Sequence, residues 1–283
     1  MAANRSAGRN IHLYDANDPD TELGGLILTN GVTNANFYSR VEIICLFDQV
    51  YTLRDEAGTT TVRSSQATTT LSRRVGSVAV TDEVPLLRTV SWQTGTRLIT
   101  FRDSVPERDL RCVITGKPAL RAEYGIWWGF QSAHIFPLAY EEHWNEHNYG
   151  RWVTVPPATE SVGTINSVQN GMLLDNTIHM LFDLYAVSIN PYDNYKIICF
   201  GPDGEGIVGG HLDQRFLNDP HRPVDQLLRW HFRQAVLSNV KGAGEPAVEV
   251  DFPPGSDMMG EIMKGPMAAE RMEFELFSRL PVQ

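Results

Sequence analysis

The sequence predicts an α+β protein, and three observations predict it. Its first hundred residues mix short strand-like pieces with one amphipathic helix. Residues 187–200 read as a hairpin that follows directly on a helix. Residues 224–240 form a long amphipathic helix with Leu228, Phe232, Val236 and Val240 four apart. Hydrophobic residues make up 42% and aromatic residues 10% of the 283, which supplies one large or two modest cores and excludes disordered and fibrous classes.

In the N-terminal region, residues 1–105, the strand-like pieces are Ile11 to Tyr14, Leu26 to Leu28, Val78 to Val80 and Arg97 to Phe101. The helix is expected over Asn36 to Val50, with Phe37, Val41, Ile44, Cys45 and Phe47 near helical spacing and Asn34 or Asn36 as its cap. The Thr- and Ser-rich run 59–74 reads as an exposed loop or edge hairpin.

From about Pro106 the character changes, and residues 106–200 gather aromatics, histidines and turn signals at Thr115-Gly116-Lys117-Pro118 and Asn190-Pro191. The run Ile126 to Phe130 suits a buried strand. In the last region, residues 201–283, the 224–240 helix ends at Gly242 and Gly244, residues 251–257 form a stiff turn, and Met267 to Leu280 read as a closing helix. The three regions are too poorly separated to be independent domains.

Lys and Arg total 24 against 34 Asp and Glu, a formal charge of −10, so the chain does not coat nucleic acid by bulk electrostatics and any polyanion contact is local. Cys45, Cys112 and Cys199 lie far apart without a CxxC pair, so neither a zinc ribbon nor a secreted disulfide scaffold is indicated. No signal peptide or membrane-length apolar run is present. The expectation is a soluble protein of the cytoplasm or nucleus, with no membrane partner.

Four pieces in order carry chemistry: Arg111 to Gly116, Ser132 to Leu138, Gln169 to Leu174, and Asp175 to Asp183. They resemble the HNH family of ββα-metal endonucleases, and within it a subgroup abundant in fungal proteins that writes Ala-His-Ile-x-Pro, Asn-Gly-x-Leu-Leu and His-x-x-Phe-Asp. The signature letters fall on His134, Asn170 and His179. The likeness covers roughly residues 108 to 185. It implies an HNH unit embedded between a mixed N-terminal region and a helical C-terminal region.

The residues carry their own reading. Asp175 suits the N-cap of a helix from Asn176, with Ile178, Leu181, Phe182 and Tyr185 as its apolar stripe. His179 and Asp183, one turn apart, converge where one divalent cation fits, although such pairs also occur as plain surface hydrogen bonds. His134 falls near a strand end because Pro137 cannot continue a central strand. Its imidazole, with an unperturbed pKa of about 6.5, suits a base that takes a proton from water. Asn170 precedes Gly171 in a turn-prone pair.

The resemblance implies roles. Asn170 braces the strand carrying the base, His134 is the general base, and His179 with Asp183 holds a single divalent metal, Mg²⁺ or Mn²⁺ first and Zn²⁺ second, that stabilises the leaving oxygen. The expected activity is endonucleolytic hydrolysis of DNA, or RNA. One departure stands out: many HNH enzymes place an Asp or His ligand just before the base, where this chain has Ala133. Coordination is completed elsewhere, or His134 itself ligates, or the fold survives as a non-catalytic binding module.

Two further signals compete. His143, Glu146 and His147 match HxxEH, the inverted zinc-peptidase motif, on a short helix expected over about Ala139 to Asn148. Between Pro220 and Lys241 four cations (Arg222, Arg229, Arg233, Lys241) less one anion (Asp225) leave a local charge of +3. Arg229 and Arg233 share a helix face, fit for successive phosphates or for plain solvation. His231, between two aromatics, reads as packed, and Cys112 as buried. A regulatory protein partner is compatible with the acidic surface.

Overall fold

The computed structural model describes residues 5–6, 8–15, 18–29, 32–48, 51, 53, 78–86, 99–157, 163–242, 244, 259–260 and 263. In chain order these contain β1 (Ile11–Asp15), β2 (Asp18–Leu26), α1 (Asn34–Ile44), β3 (Cys45–Phe47), β4 (Val78–Val80), α2 (Ile99–Asp109), β5 (Phe130–His134), α3 (Glu141–Glu146), β6 (Gly171–Asp175), α4 (Asn176–Asp183), β7 (Val187–Asn190), β8 (Lys196–Cys199), α5 (Gln214–Leu217) and α6 (Asp225–Val240). Among the described residues the strands form only two-stranded antiparallel sheets, β1 with β2, β3 with β4, β5 with β6 and β7 with β8. This is a mixed architecture of small sheets and helices, consistent with α+β. Among the described residues no helix is long and apolar enough to cross a membrane.

The chain divides into two compact units. The first is Met1–Leu87, Tyr185–Gly210 and Phe232–Asp251. Its core joins Ile11, Leu13 and Leu26 of the first hairpin, Phe37, Val41 and Ile44 of α1, Ile198 of β8, and Phe232, Val236 and Val240 of α6. Each large side chain buried there contributes about 1.5–3 kcal/mol of transfer free energy.

The second unit is Arg88–Leu184, His211–His231 and Phe252–Gln283. It holds the antiparallel pair β5–β6 with α2 and α4. Phe101 and Val105 of α2 pack with Leu173 of β6, and Phe130, Trp127 and Val168 close over them.

Several expectations change. α1 stops at Ile44 because the backbone turns extended at Cys45, and Cys45–Phe47 pairs with Val78–Val80 instead of continuing the helix. Its cap is Thr33, whose hydroxyl accepts from Asn36 N–H, rather than Asn34 or Asn36. The expected strand at Arg97–Phe101 is instead the first turn of α2 over its described residues. There Phe101 and Val105, one helical turn apart, both face the core. The strand at Leu26–Leu28 contributes only Leu26, as the last residue of β2. The aromatic run at 126–130 precedes its strand: Gly129 takes a positive φ of 82°, pairing starts at Phe130, and Trp128 is exposed. The run 59–74, the turn 251–257 and the helix Met267 to Leu280 lie outside the described residues.

Candidate active site

Strand β5 ends at His134, and its register sets Phe130 opposite Asp175 and His134 opposite Gly171. Successive side chains alternate across a strand. On one face, Phe130 joins the Phe101–Val105–Leu173 cluster, Ser132 Oγ donates to Arg102 O at 3.1 Å, and the His134 ring stacks on Phe101 at 3.8 Å between centroids. On the other, Ala133 is fully buried and Gln131 reaches His179 of α4.

Asn170 secures the segment that leaves β5. Its Oδ1 accepts from Phe136 N–H at 2.8 Å, while its Nδ2 donates to Phe136 O at 3.1 Å and Ile165 O at 2.8 Å. Its own carbonyl accepts from Ile135 N–H at 2.9 Å. The side chain is fully buried and all three of its contacts are backbone, so it acts as a clamp on the two residues after His134.

Helix α4 begins where Asp175 Oδ1 accepts from Ile178 N–H at 3.2 Å, and Ile178 and Phe182 bury its apolar face. That orientation leaves His179 and Asp183 on a neighbouring, partly exposed stripe, with side chains 21% and 20% accessible. His179 Nδ1 lies 2.5 Å from Gln131 Oε1, and His179 Nε2 lies 3.1 Å from Asp183 Oδ2. An amide oxygen only accepts, so Nδ1 carries the hydrogen. Two electron-pair donors, Nε2 and a carboxylate oxygen, then face each other and need a positive centre, a proton or a metal cation.

The segment opposite His134 is held from beneath by a buried ion pair. Arg108 Nε and Nη2 donate to Asp109 at 2.5 and 2.8 Å, and the guanidinium also donates to Val168 O, His221 O and Gly171 O. Asp109 in turn accepts from Leu173 N–H at 2.7 Å. Burial pushes the Asp109 carboxyl up from its ordinary value, against the pull of Arg108. Phe101, Arg108, Asp109 and Gln131 all escaped the sequence reading. Only Gln131 left a signal there: it stands two residues before Ala133, hence on the same strand face.

Among the described residues, one set of three metal-type donors converges, and it is His143, Glu146 and His147, within 4.8 Å of one another. His179 and Asp183 remain a pair of two donors. The α-helix carrying the triple is only six residues, preceded by a 3₁₀ turn at Leu138–Tyr140, and His147 is its C-cap. Burial, then the neighbouring His147, lowers the His143 pKa from its ordinary value, against the pull of Glu146.

The two arginines expected to meet phosphate both have carboxylates at hand. Arg229 lies 3.5 Å from Asp225, and Arg233 forms a forked pair with Glu83. His231 is fully buried, stacked on Phe182 at 3.6 Å, with Nε2 3.2 Å from Phe182 O.

Residues 112–190 match the family model described as HNH endonuclease. This segment belongs to the HNH endonuclease family. Residues 8–70 match a family described as a domain of unknown function. No curated protein and no solved structure gives a significant match to the chain. HNH family members bind a divalent metal. The HNH segment contains β5, β6 and α4, and with them His134, Asn170, His179, Asp183 and the His143–Glu146–His147 triple.

Proposed function

We propose that the chain is a divalent-metal-dependent endonuclease that hydrolyses phosphodiester bonds of DNA. The observation that carries this reading is the His179–Asp183 pair: a ring nitrogen and a carboxylate oxygen 3.1 Å apart, with Gln131 holding the hydrogen on the other ring nitrogen. That spacing is what two neighbouring ligands take when each bond to one cation is about 2.0–2.2 Å. Two protein donors also suit Mg²⁺ or Mn²⁺, which keep several waters, and offset the missing ligand at Ala133.

His179 and Asp183 hold the cation, which when bound supplies Lewis-acid stabilisation of the leaving 3′ oxygen. His134 takes a proton from the attacking water. Phe101 fixes the plane of its ring, and the Asn170 clamp fixes the backbone that follows it, so the base meets the water in one geometry without reorganisation. Arg229 and Arg233 contact backbone phosphates, each exchanging a carboxylate for a phosphate oxygen as it does so.

Plasmid cleavage by the purified chain, with Mg²⁺, Mn²⁺, Zn²⁺ or EDTA, tests the reading beside His134→Ala and His179→Ala. Cutting is expected to need metal, to fall by about 10²–10⁴-fold in His134→Ala and to vanish in His179→Ala. Full activity in His134→Ala would remove its role as base. An RNA substrate in parallel assigns strand chemistry. Ala133 favours a second reading, a non-catalytic module, and DNA binding without cleavage under any metal would select it. Arg229→Ala combined with Arg233→Ala is expected to weaken DNA binding and flatten its salt dependence, and an unaltered slope would return both residues to a structural role.

A further inference from the structure

We infer that His143, Glu146 and His147 form a second metal site, for a borderline transition-metal cation of the Zn²⁺, Ni²⁺ or Cu²⁺ class, separate from the His179–Asp183 pair. The three side chains offer one donor atom each within 4.8 Å of one another. The imidazole rings of His143 and His147 lie 3.8 Å apart between centroids and 26° from parallel. His147 Nδ1 sits 3.0 Å from the carbonyl oxygen of His143. A carbonyl can only accept, so Nδ1 carries the hydrogen and Nε2 carries the lone pair, the tautomer a metal ligand needs.

The donor set decides the metal. Two imidazoles among three donors suit Zn²⁺, Cu²⁺ or Ni²⁺, whereas Mg²⁺ takes oxygen for most of its shell and keeps several waters, which a set dominated by nitrogen does not favour. The same set separates the site from a peptidase centre. In the HxxEH plan the glutamate is the base, but here Glu146 stands among the donors and is consumed as a ligand.

The position gives the ion a structural task. A six-residue helix is too short to be stable by itself. A cation bridging residues one turn apart staples its last turn, where His147 N–H already bonds His143 O at 3.1 Å. The stapled helix abuts Phe136: the rings of His143 and Trp144 lie 6.2 and 5.2 Å from that of Phe136, and Trp144 Nε1 donates to Thr164 Oγ1 at 3.0 Å. Phe136 is the residue whose backbone Asn170 clamps. Metal in this site therefore stiffens the segment that follows His134.

Zinc counting on the untagged full chain tests the site without reference to nuclease activity. In a His179→Ala background, equilibrium dialysis against Zn²⁺ followed by elemental analysis is expected to find one equivalent per chain. His143→Ala with His147→Ala should lose it, and Glu146→Gln, at an exposed position, should bind at least about tenfold more weakly. Zn²⁺ should also raise the melting temperature of the His179→Ala chain, and Mg²⁺ should not. An unchanged zinc equivalent in the double histidine variant overturns the proposal, as does an unchanged affinity in Glu146→Gln. If the double variant misfolds by circular dichroism, Glu146→Gln alone decides. The zinc count in the His179→Ala background does not depend on plasmid cleavage, so this proposal and the nuclease reading fail separately.

Discussion

The His134 imidazole lies flat on the Phe101 ring, with centroids 3.8 Å apart and planes inclined by 10°. Phe101 is 3% exposed and packs with Val105 and Leu173, so the platform is anchored in the core. Phe101→Leu keeps an apolar body but removes the flat face. It is expected to cost about 1–2 kcal/mol of stability and, with His134 as the base we propose, to lower kcat by about ten- to a hundredfold with KM nearly unchanged. An equal kcat in the variant would show that the stack is packing alone.

Gly171 explains why α2 can approach the β5–β6 pair. A Cβ at this position would come within 2.5 Å of Phe101 Cζ and 2.7 Å of Val105 Cγ2. Gly171→Ala is therefore expected to displace Phe101 and destabilise by about 1–3 kcal/mol, with cleavage falling as in Phe101→Leu. Denaturant midpoints check the first effect. Retention of wild-type stability would mean that the two helical side chains yield without cost.

Asn170 joins one donor and two acceptors of the backbone with its single amide. Asn170→Ala leaves three buried polar groups without that partner and should cost about 3 kcal/mol or more. Asn170→Asp keeps the shape but turns two donated bonds into contacts between oxygens. It should be no better than alanine. An aspartate variant as stable as the parent would contradict the clamp.

Much of this geometry was legible because it is local. Asp175 as the α4 cap, the i, i+4 meeting of His179 with Asp183, the strand ending at His134, and the hairpin 187–200 each depend on neighbours within a few residues. What escaped depends on distant pairs. Phe101 meets His134 and Asp109 meets Leu173 across long stretches of chain, and nothing near Phe101 marks it as a ring platform. The apolar period of α1 runs on through Cys45, but the Cys45 backbone is claimed by Val80 of another strand, so the helix ends sooner than its periodicity implies. Tertiary pairing overrode local periodicity there.

Asp203 gives a pH dependence outside the site. Burial acts to raise its carboxyl, but the N–H groups of Val208, Ile207, Gly206 and Glu205 outweigh that and hold it below its ordinary value. A depressed native pKa contributes stability that is present above the unfolded value, about 3.9, and is lost as pH falls through the native value. Asp203→Asn should thus be less stable than the parent near neutrality and converge with it in strong acid. Parallel stability curves between about pH 6 and pH 2 would remove this role.

Arg40 of α1 is 1% exposed, and among the described residues its three guanidinium nitrogens have no hydrogen-bond partner. Burial lowers its pKa to about 10, so it stays charged at neutral pH. The Phe200 ring, 5.2 Å from the guanidinium carbon, supplies a cation–π contact. Such a contact is worth about 2 kcal/mol when desolvated, whereas the effective penalty for taking an ion out of water is several kcal/mol. The balance disfavours the charge. Arg40→Met, with similar length and good helix propensity, is expected to raise stability by about 1–4 kcal/mol without altering cleavage, as read from the denaturation midpoint. A lower midpoint would mean that Arg40 is held by an anion in solution, and phosphate or sulfate titration of the parent chain would then raise its melting temperature but leave the variant unchanged.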